Sequence, residues 1–201
     1  MELPDWQGDQ LYMHPIDLAQ PAKLPEQLQR WEPFIGKMLL SSPTRTGTAY
    51  VTIDQREVQP NHTHRRGGPH VDGNFLFAWN GSGGGGSGWL TGEDGRVLPP
   101  ELHKMQYCSD TGATLIASSY SACKGWVGDY DDEPAQGGNC AHFAEKLKSM
   151  ASLLMKPFRL YLMGSTAIHE SLPIQSDTPV RRTLLRITLP EHAQLGTPSA
   201  K

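Results

Sequence analysis

The chain has 201 residues, with 18 basic and 21 acidic side chains and a formal net charge of −3. This length predicts one domain with a sizeable core, and the charge argues against broad nucleic-acid binding. The absence of any apolar run of about 18 residues excludes a membrane-spanning helix. Three cysteines without CxxC spacing, and an N-terminus without a secretory pattern, predict a cytoplasmic protein.

The N-terminal half begins with an extended arm over residues 1–23 and continues with a helical pattern over residues 24–40. Pro33 lies inside that pattern and is expected to break or kink the helix. Alternating and β-branched residues predict a strand at 46–56, and a short apolar segment predicts another at 74–79. This half is thus predicted to hold one helix and two strands.

The C-terminal half is predicted to be richer in strands. A strand lies within residues 111–120, a Gly- and Asp-rich loop covers 121–140, and the clearest helical stripe runs over 142–155. The remaining segments are two further strands, at 158–163 and 181–189, and a polar tail at 191–201.

The 21 glycines and 16 prolines favour many turns, and the predicted strands outnumber the helices without alternating with them. This pattern predicts a mainly β single domain over residues 1–201, an antiparallel sandwich or barrel with a few flanking helices. Residues 81–88, GSGGGGSG, have the composition of a flexible loop. That loop is either natural or an engineered replacement of an insertion, and it carries no functional prediction.

Two histidines and one aspartate form the strongest candidate site. His70 and Asp72 are two residues apart, so on a strand both side chains point to the same side and can bind one ion. His169 follows the strand-like segment 158–163 and is the candidate third ligand. Two histidines and a carboxylate make the facial triad of non-haem Fe(II) oxygenases. The simpler interpretation of an isolated HxD is a turn with a capping aspartate and a surface histidine.

The last predicted strand carries three arginines. Arg182 and Arg186 share one face of the strand, whereas Arg181 and Thr183 share the other. An arginine in the middle of a strand is costly unless its charge is paired, and its planar fork suits a bidentate carboxylate. The alternative is an edge strand whose arginines face water.

The order of these residues resembles the Fe(II)/2-oxoglutarate-dependent oxygenase superfamily, whose signature is HxD, a distal histidine and then an arginine. The segment PVRRTLLRITLP at 179–190 is similar to the end of the taurine dioxygenase branch. The resemblance implies a double-stranded β-helix, also called a jelly roll. It also implies Fe(II) bound by His70, Asp72 and His169, with 2-oxoglutarate and O2 as cosubstrates.

The same resemblance implies roles for the arginine strand. Arg182 would bind the distal C5 carboxylate of 2-oxoglutarate, and Arg181 with Thr183 is the alternative implied by other branches. Arg186 would lie nearer the iron and contact the cosubstrate or an anionic substrate. Because related halogenases lack the carboxylate that Asp72 provides, the resemblance implies hydroxylation of an unactivated C–H bond, with demethylation and desaturation as alternatives, rather than chlorination. Succinate and CO2 would be released in each case.

Two further histidines leave a second metal site open. His62 and His64 have strand spacing, and with Glu93 or His169 they would form a cupin-type metal site, which also occurs on a jelly roll. A non-catalytic jelly-roll binding protein that retains the motif is the remaining alternative.

The substrate is expected to be a small or nucleotide-like molecule. Arg65 and Arg66 beside His64 form a local patch suited to an anionic ligand, which makes His64 a candidate substrate contact. Trp89, which follows a glycine, is a candidate for stacking on a planar substrate or for covering the edge of the core.

Overall fold

The computed structural model describes residues 2–72, 112–128, 138–164 and 166–190, together with residues 130, 132, 134, 135 and 193. The predicted strand at 74–79, the loop at 81–88, Trp89, Glu93 and nearly all of the predicted tail at 191–201 lie outside the described residues.

Most of the described chain is extended. The strands are β1 (Gln10–Asp17), β2 (Thr48–Val58), β3 (Ala113–Ser118), β4 (Cys123–Val127), β5 (Ala151–Leu154), β6 (Tyr161–Gly164), β7 (His169–Ser171) and β8 (Val180–Thr188). A 3-10 helix at Glu26–Trp31 leads directly into α1 (Glu32–Leu39), and another at Ala141–Phe143 leads into α2 (Ala144–Ser149).

These strands form two antiparallel sheets within the described ranges. The larger sheet has the order β1-β2-β8-β3-β6, and the smaller has the order β5-β4-β7. An apolar cluster joins the two sheets, because Ile116, Met163 and Leu184 of the larger sheet pack with Cys123 of β4 and Met155 after β5. The predicted mainly β class with a few flanking helices is therefore confirmed.

One face of the larger sheet holds the main hydrophobic core. Val51 and Ile53 of β2 and Leu185 and Ile187 of β8 are buried on this face and cluster with Trp31. Successive side chains of a strand point to opposite sides, so the intervening residues of both strands face the other way.

The opposite face of the same strands is polar and largely buried. The register pairs Thr52 with Arg186 and Asp54 with Leu184, and Arg182 follows two residues away on the same face. Four residues of one strand span about 13 Å. The backbones of Arg182 and Arg186 are therefore about 13 Å apart on this face.

The segment predicted as an extended arm, residues 1–23, contains β1, which pairs with β2 as an edge strand that the sequence pattern did not indicate. The register shifts between Leu11 and His14, and Met13 within this step has a positive φ of 48°. A β-bulge of this kind breaks the alternation by which a strand is recognised in a sequence.

The helix predicted at 24–40 is present over residues 26–39, but it changes from 3-10 to α geometry after Trp31. Pro33 lies in the first turn of α1 and does not interrupt it. Proline is tolerated at the start of an α-helix because its fixed φ is already helical.

Two predictions in the second half of the chain are corrected. The predicted loop at 121–140 contains β4, and the predicted helix at 142–155 ends at Ser149 and is followed by β5. Strand β5 pairs with β4, which pairs in turn with β7. Hydrogen bonds between strands distant in sequence override local helical periodicity here.

Candidate metal centre

His70 and His169 are brought together by a reciprocal backbone pair. The His70 N–H donates to the His169 carbonyl at 2.9 Å, and the His169 N–H donates to the His70 carbonyl at 2.9 Å. The two rings lie side by side, with centroids 4.5 Å apart. His169 begins β7, and His70 forms an isolated bridge rather than lying within a strand, so both positions differ from the predicted ones.

Asp72 completes a group of three candidate ligands. The candidate ligand atoms of His70, Asp72 and His169 all lie within 4.8 Å of one another. His169 Nε2 is 3.6 Å from Asp72 Oδ2. The structure thus brings together the three residues that the sequence motif predicts, in an arrangement small enough to hold one ion.

Both imidazoles are oriented by backbone carbonyls. His70 Nδ1 is 2.7 Å from the Gly68 carbonyl, and His169 Nδ1 is 2.9 Å from the Ala167 carbonyl. Since a carbonyl only accepts, each Nδ1 carries the proton and each Nε2 presents a lone pair to a metal. A hydrogen bond from the ring nitrogen that does not face the metal is usual for metal-binding histidines.

The electrostatics favour the protonation states that a cation requires. Burial, together with the neighbouring His169, lowers the pKa of His70 to about 4. Burial raises the pKa of Asp72, but the Arg186 guanidinium, followed by His169 and His70, outweighs it and holds that pKa well below its usual range. At neutral pH His70 is therefore neutral and Asp72 ionised, as metal ligands must be.

Arg186 positions the carboxylate of Asp72. Arg186 Nη1 donates to Asp72 Oδ2 at 2.9 Å, and the two side chains are only 17% and 18% exposed. Arg186 thus contacts the same carboxylate oxygen that lies 3.6 Å from His169 Nε2. Arg186 therefore lies beside the three candidate ligands, and its predicted contact with the cosubstrate or an anionic substrate stays a prediction.

Arg182 is fully buried and incompletely paired. Its Nε donates to Ser118 Oγ at 3.0 Å, whereas Nη1 and Nη2 have no hydrogen-bond partner among the described residues. The Cys123 thiol lies beside the guanidinium, but sulfur is a weak acceptor. A buried guanidinium with two unpaired nitrogens is costly, and a bound anion would remove that cost.

Arg181 and Thr183 lie on the other side of the sheet. Arg181 is exposed and stacks its guanidinium 4.7 Å from the centre of the Trp6 ring. Thr183 is buried, and its hydroxyl accepts a hydrogen bond from Gln55 Nε2 at 3.1 Å. Neither residue shares a face with Arg182.

His62 and His64 do not share an environment. His62 is exposed, and its Nδ1 is 3.0 Å from the Pro60 carbonyl. His64 is buried, with Nε2 3.3 Å from Asp54 Oδ1. Among the described residues, the metal-ligand group includes neither histidine.

Asp54 is a residue of this polar face that the sequence interpretation missed. Its carboxylate is 4% exposed and accepts from Arg56 at 2.7 and 2.9 Å and from Arg65 at 3.1 Å. The available signal was an acidic residue inside a predicted strand, directly after the β-branched run at 51–53, a position that requires paired charge when it is buried.

Gly138 supports the backbone around the HxD segment. The Val71 N–H donates to the Gly138 carbonyl at 2.9 Å, and Gly138 has a φ of +74°. A Cβ at Gly138 would overlap the Val71 carbonyl oxygen. The segment containing Gly138 thus packs against the residue between His70 and Asp72.

We expect Gly138→Ala to destabilise the fold by about 2 kcal/mol or more and to weaken metal binding. Alanine at this position would have to adopt a positive φ, and its methyl group would overlap the Val71 backbone. Denaturant unfolding and metal titration measure both effects. The control is Gly36→Ala in α1, where the new methyl meets nothing within 4 Å; it should stabilise the protein by about 0.5–1 kcal/mol. Unchanged metal affinity in Gly138→Ala would contradict this role.

Comparisons with protein-family models, with curated proteins and with solved structures each returned no significant match. In the part of the chain that the structure describes, no helix combines the length and apolarity needed to cross a membrane.

Proposed function

We propose that this protein is an Fe(II)- and 2-oxoglutarate-dependent oxygenase that hydroxylates a small-molecule substrate. The observation that carries the proposal is the convergence of His70, Asp72 and His169, with ligand atoms within 4.8 Å of one another. Two imidazoles and one carboxylate suit Fe(II) and leave coordination positions open. We also propose that the two antiparallel sheets belong to a double-stranded β-helix, the fold that the sequence resemblance implies.

The donor set fits the proposed metal. Each imidazole presents Nε2 because Nδ1 is held by a carbonyl, and Arg186 orients the Asp72 carboxylate. Bound Fe(II) would supply the activation of O2, coupled to oxidation of 2-oxoglutarate to succinate and CO2. The protein's own side chains hold the ion, orient the cosubstrate and exclude water from this buried face.

Arg182 is the proposed receptor for the C5 carboxylate of 2-oxoglutarate. Its two terminal nitrogens lack partners within the described residues, and it lies on the same face as Arg186. A carboxylate can accept from both nitrogens at once. Arg181 and Thr183 are less suited to this role because they lie on the opposite face.

Anaerobic titration of the purified protein with Fe(II) and 2-oxoglutarate tests the proposal. We expect a weak visible charge-transfer band that requires both components. No band from folded, iron-replete protein would contradict it. Metal binding that ignores 2-oxoglutarate and depends on His62 and His64 would instead indicate a cupin-type site, and no metal binding would indicate a non-catalytic binding protein.

A further inference from the structure

His64 is a buried imidazole whose environment the proposed metal centre does not explain. Its side chain is 0% exposed, and Nε2 lies 3.3 Å from Asp54 Oδ1. The other ring nitrogen, Nδ1, has no hydrogen-bond partner among the residues described. Buried polar atoms are rarely left unpaired in native proteins unless a ligand or water completes them.

Asp54 keeps a negative charge beside this ring. Arg56 donates to both of its oxygens, and Arg65 adds a third charged hydrogen bond. Burial raises the pKa of Asp54, but contacts with His64 and Arg56 lower it well below the usual range. Asp54 therefore stays ionised at neutral pH and can stabilise a positive charge on His64.

Arg182 supplies the second set of unpaired donors in the same region. It lies on the polar face two residues from Leu184, the register partner of Asp54. Arg182 is also the register partner of Arg56, the residue that donates to both Asp54 oxygens. The Arg182 charge lowers the pKa of His64, and the Asp54 charge raises the pKa of Arg182. Arg182 is thus a buried cation with unpaired nitrogens, and His64 is a buried group that can become cationic. Both lie near the Asp54 carboxylate, which Arg56 and Arg65 already contact.

We propose that His64 is a second anchoring residue for the distal carboxylate of the cosubstrate and that it binds this carboxylate as an imidazolium, taking up one proton from solvent. In the complex, Nε2–H would face Asp54 and Nδ1–H would donate to the carboxylate, which also accepts from Arg182. The inference rests on the proposed function and adds a residue that determines specificity for a dicarboxylate.

The charges around His64 explain why proton uptake accompanies binding. The groups facing it are Asp54 and Arg56 from β2 and Arg182 from β8, with Arg65 on the Asp54 carboxylate. Without a ligand, burial lowers the pKa of His64, the Arg182 and Arg56 charges add to this effect, and Asp54 opposes it. An arriving carboxylate offsets the Arg182 charge and adds an acceptor, so the charged ring becomes the stable form.

The test is calorimetric titration of 2-oxoglutarate into the metal-loaded full chain, with Mn(II) in place of Fe(II), at pH 7 in buffers of different ionisation enthalpy. We expect uptake of close to one proton by the unmodified protein, and a Kd that rises as the pH rises. The 2-oxo acid without a distal carboxylate, 2-oxovalerate, should bind more weakly and without that uptake. This comparison distinguishes the proton that His64 takes up from protons released or bound at the metal.

His64→Gln should abolish the proton uptake and raise the Kd for 2-oxoglutarate by about 10- to 100-fold, because one charge-assisted hydrogen bond is lost. The exposed His62→Gln is the matched control and should leave both quantities unchanged. Uptake that persists in folded His64→Gln, or binding by the unmodified protein without uptake, would overturn the inference. Binding without proton uptake is measured on the unmodified protein, so this test remains valid even if His64→Gln fails to fold.

Failure of the proposed function gives a different result. If the metal-loaded unmodified protein does not bind 2-oxoglutarate, the oxygenase proposal itself is contradicted, and with it the role of His64. If 2-oxoglutarate binds with an unchanged Kd in His64→Gln, only the role of His64 is contradicted.

Discussion

Replacing Asp72 with alanine is expected to abolish 2-oxoglutarate turnover and to weaken Fe(II) binding by about 100-fold or more. Asp72 is the only carboxylate in the group of three ligands among the described residues. Removal of a partner that merely orients a ligand already costs about 10- to 100-fold in metal affinity. Loss of the ligand itself should therefore cost at least as much.

The same variant leaves Arg186 without the carboxylate that it contacts at 2.9 Å. Because this pair is mostly buried, we expect a measurable loss of stability, although the two apolar clusters that join the strands remain intact. Asp72→Asn separates the two effects, since its amide oxygen can still accept from Arg186 but is a poor ligand. Asp72→Asn should be nearly as stable as the unmodified protein and equally inactive.

Metal titration, succinate formation and thermal unfolding together check this prediction. Asp177→Ala, at an exposed position before β8, is the control and should change none of the three. Normal succinate formation by Asp72→Ala or Asp72→Asn would remove Asp72 from the metal centre and favour a different ligand set.

Replacing Arg182 with methionine is expected to raise the KM for 2-oxoglutarate by about 100-fold or more. A bound carboxylate would accept charge-assisted hydrogen bonds from two terminal nitrogens that lack partners in the described part of the chain. Such bonds contribute about 1.5–3 kcal/mol each, and a loss of about 3 kcal/mol corresponds to about 150-fold in affinity.

The stability of Arg182→Met distinguishes a binding role from a structural one. A fully buried, half-paired guanidinium is costly without its ligand. Its replacement by an apolar side chain of similar length should therefore leave the free energy of unfolding unchanged or raise it, by up to about 3 kcal/mol. Ser118 remains satisfied, because its hydroxyl still donates to the Tyr120 carbonyl at 3.0 Å.

Arg181→Met is the matched control, because Arg181 lies on the opposite face of the same strand. It should leave the KM for 2-oxoglutarate unchanged. Steady-state kinetics and thermal unfolding of the two variants check the prediction. A raised KM in Arg181→Met with a normal KM in Arg182→Met would transfer the cosubstrate role to Arg181, the alternative that other branches of the superfamily imply.

Strong local patterns made several strands predictable. Strands β2, β3 and β8 lie within about two residues of the predicted segments, because β-branched residues and clear breaks mark them. Strand β1 was missed because its bulge shifts the alternation, and β4 and β5 because they are short and depend on pairing with each other. The register that places Asp54 beside Leu184 has no local signal at all.

The sequence by itself determined the candidate ligand types, their order along the chain and the faces of the arginine strand. Alternation with a period of two is a local property, so Arg182 and Arg186 could be assigned to one side without knowledge of the fold. Only the tertiary structure decided that His70 and His169 exchange backbone hydrogen bonds, and that His64 lies against Asp54. These contacts join segments distant in sequence through strand pairing and burial, and neither has a local signature.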